Sequence, residues 1–178
     1  MKRALMLSVS FVFAAWVAPA AAESSILTGT YAVTGTAMCN QSTGVLGINT
    51  TEGIYTFYGD GTGSVTETAV TFGAGLIGST GTNNHTFTFK YSVNHDRSFT
   101  LTTDPGSFSA TIVSGPPGAG LTVSIDQLAP ITGFIGIYAT TLTGATLESP
   151  LETVTYSNGN VVQRRCQRTQ VYIKMHEE

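Results

Sequence analysis

His85-Thr86-Phe87-Thr88-Phe89-Lys90-Tyr91-Ser92-Val93 is a stretch with two chemically opposite sides. Phe87, Phe89, Tyr91 and Val93 fall on one side and Thr86, Thr88, Lys90 and Ser92 on the other, which is the alternation a pleated strand imposes. A helix would scatter those rings around its axis, so the stretch predicts a strand with an apolar inner face and a hydroxyl-rich outer one.

Working outward, the same kind of short alternating run recurs between turn signals. Asn94, His95, Asp96 and Arg97 turn the strand into 98–103, and Gly59, Asp60 and Gly61 make a tight turn between 53–58 and 63–72. Further runs are expected at 29–38, 108–113, 121–125, 133–141 and 152–157. Asn158-Gly159 is a strong hairpin signal before a long last strand at 160–174. Charged residues make up only 11% of the chain, so Thr, Ser, Asn and Gly must supply its polarity, a composition that favours strands and turns. Eight or nine strands joined mainly by hairpins predict an all-β fold: a single antiparallel up-and-down β-barrel of about eight strands, with a β-sandwich as the alternative. Closure favours the barrel, because it removes edges that so Thr-rich and lightly charged a sheet would expose to other chains.

The start of the chain predicts export. Lys2 and Arg3 precede an uncharged apolar stretch at 5–17, and Pro19, Ala20, Ala21 and Ala22 form a small-residue cleavage region, so residues 1–22 read as a signal peptide. An uncleaved anchor is the alternative, but the stretch is shorter than the roughly 20 residues a spanning helix needs. Cleavage leaves residues 23–178 as one domain, with six Lys and Arg against eleven Asp and Glu and a net charge of −5. That balance gives no bulk attraction for a phosphate backbone, so no nucleic-acid partner is expected. A periplasmic or secreted location makes Cys39 and Cys166 a disulfide pair. Closing so long a loop would stabilise the fold by about 4–5 kcal/mol in the chain-entropy model.

Gly29, Thr30 and Tyr31 open the first strand with a G-x-aromatic pattern, while Arg164, Arg165 and Arg168 crowd the last. This layout resembles lipocalins and other calycins, in which a G-x-W motif near the start of the barrel packs its ring against an arginine near the end. Tyr31 stands where that family has Trp, and Arg164 or Arg168 where it has Arg. The resemblance implies an eight-stranded barrel with a cavity for a small apolar ligand. Read without it, Tyr31 is a core aromatic and the arginines are a solvated strand face. If the face carrying Cys166 points inward, Arg164 and Arg168 lie inside or at the rim and need partners. The aromatic row of Phe87, Phe89 and Tyr91 would then take the body of an elongated amphiphile, its anionic end by Arg164 or Arg168.

Several apparent motifs carry no chemistry. Gly73, Gly75 and Gly78 match G-x-G-x-x-G, but no helix follows to hold a pyrophosphate, so no cofactor is expected. His85, His95 and His176 show no metal-ligand spacing, and no metal is expected. No serine occupies a G-x-S-x-G elbow, and no catalytic set is legible. The expected function is therefore a binding module for a small apolar or amphipathic molecule, with a structural or protein-interaction module of the envelope or secreted fraction as the alternative and an enzyme third. The contents of the interior decide among them: a lined cavity, a filled core, or a pocket with convergent titratable groups.

Overall fold

A computed structural model of the chain describes residues 26–73 and 80–176. The expected signal peptide and most of the glycine-rich loop, Gly75 and Gly78 included, lie outside the described residues. The protein is all-β, a single antiparallel sheet whose ends meet to form a barrel-like ring. Five long strands run its full height: β1 (Thr28–Gln41), β2 (Leu46–Tyr58), β3 (Thr62–Phe72), β4 (Thr80–Val93) and, last in the chain, β11 (Val161–Lys174). Six shorter ones complete it: β5 (Ser98–Thr103), β6 (Ser109–Ser114), β7 (Thr122–Ile125), β8 (Ile131–Ile135), β9 (Thr141–Ala145) and β10 (Glu152–Tyr156).

The short strands form two panels, one above the other, between β4 and β11. The C-terminal half of β4, from Phe89 to Val93, pairs with β5, and β5-β8-β9 leads to the C-terminal half of β11. The N-terminal half of β4, from Thr82 to Thr86, pairs with β6, and β6-β7-β10 leads to the N-terminal half of β11. Either route, added to β1–β4 and β11, closes a ring of eight strands, so the expected strand number describes each level of the wall. The simple up-and-down order does not hold throughout, because the chain leaves one panel after β5, builds β6 and β7 in the other, and returns for β8 and β9. The sheet's closing seam is the β1–β11 ladder, and in it Cys39 lies directly opposite Cys166. The two form a buried disulfide with Cα atoms 4.1 Å apart.

The expected runs at 29–38, 53–58, 63–72 and 85–93 appear as the longer β1–β4, the run at 98–103 is reproduced as β5, and those at 108–113, 121–125, 152–157 and 160–174 appear within a residue at each end. The run at 133–141 is instead the hairpin of β8 and β9. Its turn carries Ile137 and Tyr138, both largely exposed, and Ala139 at φ 53°, so apolar side chains at a turn mimic a continuous strand. The Asp60 turn forms as expected: the carboxylate accepts from the Thr62 amide at 2.8 Å and from the Thr62 hydroxyl at 2.6 Å. The core follows the predicted alternation, since Phe87, Phe89, Tyr91 and Val93 are all buried while Thr86, Thr88, Lys90 and Ser92 are exposed.

No helix among the described residues is long and apolar enough to cross a membrane. That and the disulfide are compatible with an exported protein.

Candidate functional site

The inward-facing side chains change character along every long strand, and they do so in the same direction. β1 runs from Tyr31 and Val33 to Ala37 and Cys39. β2, read from its C-terminal end, runs from Phe57 and Tyr55 to Asn49 and Gly47. β4 runs back from Tyr91, Phe89 and Phe87 to His85, Asn83 and Gly81, and β11 from Tyr172 through Gln170 to Arg168, Cys166 and Arg164. Antiparallel register therefore collects the large rings at the β5-β8-β9 end and the small and polar groups at the β6-β7-β10 end.

The aromatic end is filled. Phe57 meets Tyr31 at 5.2 Å, Phe89 at 5.2 Å and Tyr91 at 5.0 Å between ring centroids, and Tyr172 meets Tyr55 at 5.1 Å, all edge-to-face. Gly63 is required beneath this cluster, because a Cβ there would stand 2.2 Å from Phe89 Cζ. The phenols find acceptors: Tyr31 donates to the Ala139 carbonyl and Tyr91 to the Leu27 carbonyl, each at 2.7 Å.

The opposite end is hollow. Ala37, Gly47, Ala69, Gly81 and Ala110 leave space that no neighbouring side chain fills, and a cavity of about 160 Å³ results. Its apolar wall includes Phe87, Phe108, Ile112, Val123 and Ile125, and its polar wall includes Glu67, His85, Arg164, Arg168 and Gln170.

The polar groups are arranged around Glu152, which is fully buried. Arg164 Nε donates to Glu152 Oε2 at 2.9 Å, and Arg168 Nη1 lies 2.5 Å from Oε1, a close ion contact off hydrogen-bond alignment. Burial alone would raise the Glu152 carboxyl, but Arg168 and Arg164 together outweigh it and hold the group below its ordinary range. Burial lowers the Arg164 guanidinium, against the opposing pull of Glu152. Two guanidinium charges against one carboxylate leave the triad with a surplus positive charge.

Across the cavity, Glu67 and His85 form a second cluster. Burial pushes the Glu67 carboxyl up to about 7, against a Thr51 hydrogen bond and the charge of Arg168. His85 is brought down to about 4, first by burial and then by Arg164 and Arg168. His85 Nδ1 is 3.7 Å from Glu67 Oε2, yet between about pH 4 and pH 7 both groups are neutral, above that range only the carboxylate is charged and below it only the imidazole, so the contact is not an ion pair. Gln170 Nε2 donates to Tyr55 Oη at 3.0 Å and reaches Glu67 Oε1 at 3.5 Å, and Tyr172 donates to Gln170 Oε1. His85 packs at a tilt beside Phe108, ring centroids 5.5 Å apart, and its Nε2 is buried with no hydrogen-bond partner among the described residues.

Of the residues singled out in the sequence, Arg164, Arg168 and Phe87 line the cavity, and Cys39 lines it beside the disulfide. Tyr31, Phe89 and Tyr91 belong to the filled aromatic end. The ring-on-arginine contact implied by the calycin resemblance is not formed by Tyr31. Its ring has Lys174 Nζ at 5.9 Å, the partner β11 register supplies, while Arg168 is opposite Ala37 and Arg164 opposite Gln41 at the far end of the ladder.

Glu67, His85, Glu152 and Gln170 were not expected at the site. Glu67 had a legible signal, since it shares the inward face of 63–72 with Val65 and Ala69, and His85 begins the inward row that continues through Phe87. Among the described residues no group of three or more His, Cys, Asp or Glu could hold a metal ion. Comparison with family models, with curated proteins and with solved structures finds no match to this chain.

Proposed function

We propose that this protein binds a small amphipathic molecule in the hollow end of the ring, with an anionic head beside Arg164 and Arg168 and a compact apolar body against Phe87, Phe108 and Ile125. The observation that carries this reading is a cavity lined on one side by apolar groups and on the other by a largely buried arginine pair whose charge Glu152 only half neutralises. Surplus charge away from water is costly, and an arriving anion relieves that cost. A guanidinium also carries more N–H donors than one carboxylate can use, which leaves donors for a ligand. The volume favours a single ring over an extended alkyl chain, since an apolar cavity of about 150 Å³ is enough to hold benzene.

Calorimetric titration of the folded protein with benzoate and with its neutral isostere benzamide tests the proposal. Benzoate is expected to bind saturably and benzamide at least about tenfold more weakly, a difference of about 1.4 kcal/mol. Arg168→Gln should remove most of that preference. Absence of saturable binding by either compound rejects the reading and leaves the interior as a structural feature of an interaction module.

A further inference from the structure

Resting on that reading, we infer that the cavity's ligand is a hydroxylated ring carboxylate, which places its carboxylate on Arg164 and Arg168 and a hydroxyl at the opposite end of the ring on His85 Nε2. Two observations carry the inference. The first is that His85 lines the cavity and its Nε2 is buried with no hydrogen-bond partner among the described residues, although neighbouring polar groups such as Gln170, Tyr55 and Tyr172 are engaged. A buried polar atom left unpaired costs stability, and a ligand group that pairs with it recovers that loss on binding.

The second observation is topological. His85 is on β4 and the arginines are on β11, and these two strands are four steps apart by either path, through β1-β2-β3 or through β6-β7-β10. In an eight-strand ring that places them on opposite walls. A ligand touching both must carry its two polar groups at opposite ends of its body, with Phe87 and Phe108 flanking the ring between them.

The chemistry of the imidazole selects a hydroxyl. When Glu67 is protonated, the 3.7 Å separation is too long for it to hold the imidazole proton on Nδ1, and Nε2 can carry the proton and donate. When Glu67 is ionised it draws the proton to Nδ1, and Nε2 becomes an acceptor. A hydroxyl serves in both states, whereas an ether oxygen can only accept and an ammonium can only donate. Arg168 and Arg164 also face His85 and disfavour a cationic imidazole, which makes an ammonium ligand doubly unsuitable.

Calorimetry at about pH 8, where Glu67 is ionised and Nε2 accepts, with benzoate, 4-hydroxybenzoate, 2-hydroxybenzoate and 4-methoxybenzoate separates this inference from the one beneath it. The wild type should bind 4-hydroxybenzoate about tenfold more tightly than benzoate, with no such gain for the 2-hydroxy or 4-methoxy compounds. His85→Phe keeps a ring beside Phe108 and should bring 4-hydroxybenzoate down to the affinity of benzoate. Should that variant fold poorly, the wild type still gives a direct reading: the His85 Nε2 resonance in a ¹⁵N-labelled sample should shift with 4-hydroxybenzoate and not with benzoate. Equal affinities in the wild type, an unshifted Nε2, or a preference that survives His85→Phe each overturn the hydroxyl assignment while benzoate binding stands. Failure of benzoate itself to bind overturns both readings.

Discussion

At the β5-β8-β9 end of the interior, Tyr31, Phe57, Phe89, Tyr91 and Tyr172 interlock edge to face and are all buried. At the β6-β7-β10 end, the same five long strands present Ala37, Gly47, Ala69 and Gly81 together with two arginines and the buried Glu67 carboxyl around a cavity, with Glu152 of β10 paired to the arginines. Strand number is the same at both levels, so the wall does not decide which end is open. The side-chain volumes projected into it do. The comparison also separates the sources of stability, because one end rests on close packing and the other on compensation between charges that would be destabilising alone.

The largest expected effect comes from truncating the packed end. Phe89→Ala should cost about 3–5 kcal/mol in urea unfolding, since Phe89 is fully buried among rings that cannot collapse into the space. Phe108→Ala removes the same atoms from a side chain that already borders the cavity on one side, so fewer contacts are lost, and about 2 kcal/mol is expected. Equal losses at the two sites would erase the proposed contrast between a filled and a hollow end.

A slightly smaller effect is expected from the charged end. Glu152→Gln leaves Arg164 and Arg168 buried without their counter-charge and should destabilise by about 3 kcal/mol. Replacing all three with apolar residues of similar volume should recover most of that loss, because the penalty lies in the unpaired charges rather than in the missing contact. If urea midpoints show the triple variant to be no better than Glu152→Gln, packing around the triad matters more than its charge.

How much of this was legible in the sequence follows from what alternation can and cannot specify. The inner faces of 63–72 and 85–93 were readable one strand at a time, because a two-residue period separates rings and small apolar groups from hydroxyls with no knowledge of neighbours. The pairing of Cys39 with Cys166 was readable because they are the two cysteines of a chain that reads as exported. The cavity was not, because it depends on register. Gly47, Ala69, Gly81 and His85 are ordinary positions until the β2–β3 and β3–β4 ladders bring them to one end of the ring. The split wall was hidden for a related reason: β6, β7 and β10 are short, and nothing in their sequences tells which half of a long strand they join. Arg164 and Arg168 were identified as residues needing partners, but Glu152 is twelve residues before Arg164 across a hairpin, and the triad became visible only with the β10–β11 register.

The smallest effect expected here is the pH dependence that Glu67 and His85 impose on stability, and it distinguishes the ends because the packed one contributes nothing in the same range. Glu67 rises from an ordinary 4.5 to about 7 on folding, so between those values the folded state holds a proton the unfolded chain has released, and this group makes stability fall as pH rises. His85 drops from 6.5 to about 4, so between those values the unfolded chain holds the extra proton, and this group makes stability rise with pH. From pH 4.5 to 6.5 the two slopes oppose one another. Folding there moves a proton from the imidazole to the carboxyl with almost no net uptake, and the pair's contribution is nearly flat. Single substitutions should unmask each half. Glu67→Gln leaves the histidine alone, and stability should climb by about 2 kcal/mol across that window. His85→Phe leaves the carboxyl alone, and stability should fall by a similar amount across it. Urea midpoints measured at half-unit intervals of pH would show slopes of opposite sign in the two variants. Parallel curves would mean that the two groups are solvated in the folded protein, and the hollow end would then be an open, water-filled mouth rather than a buried polar wall.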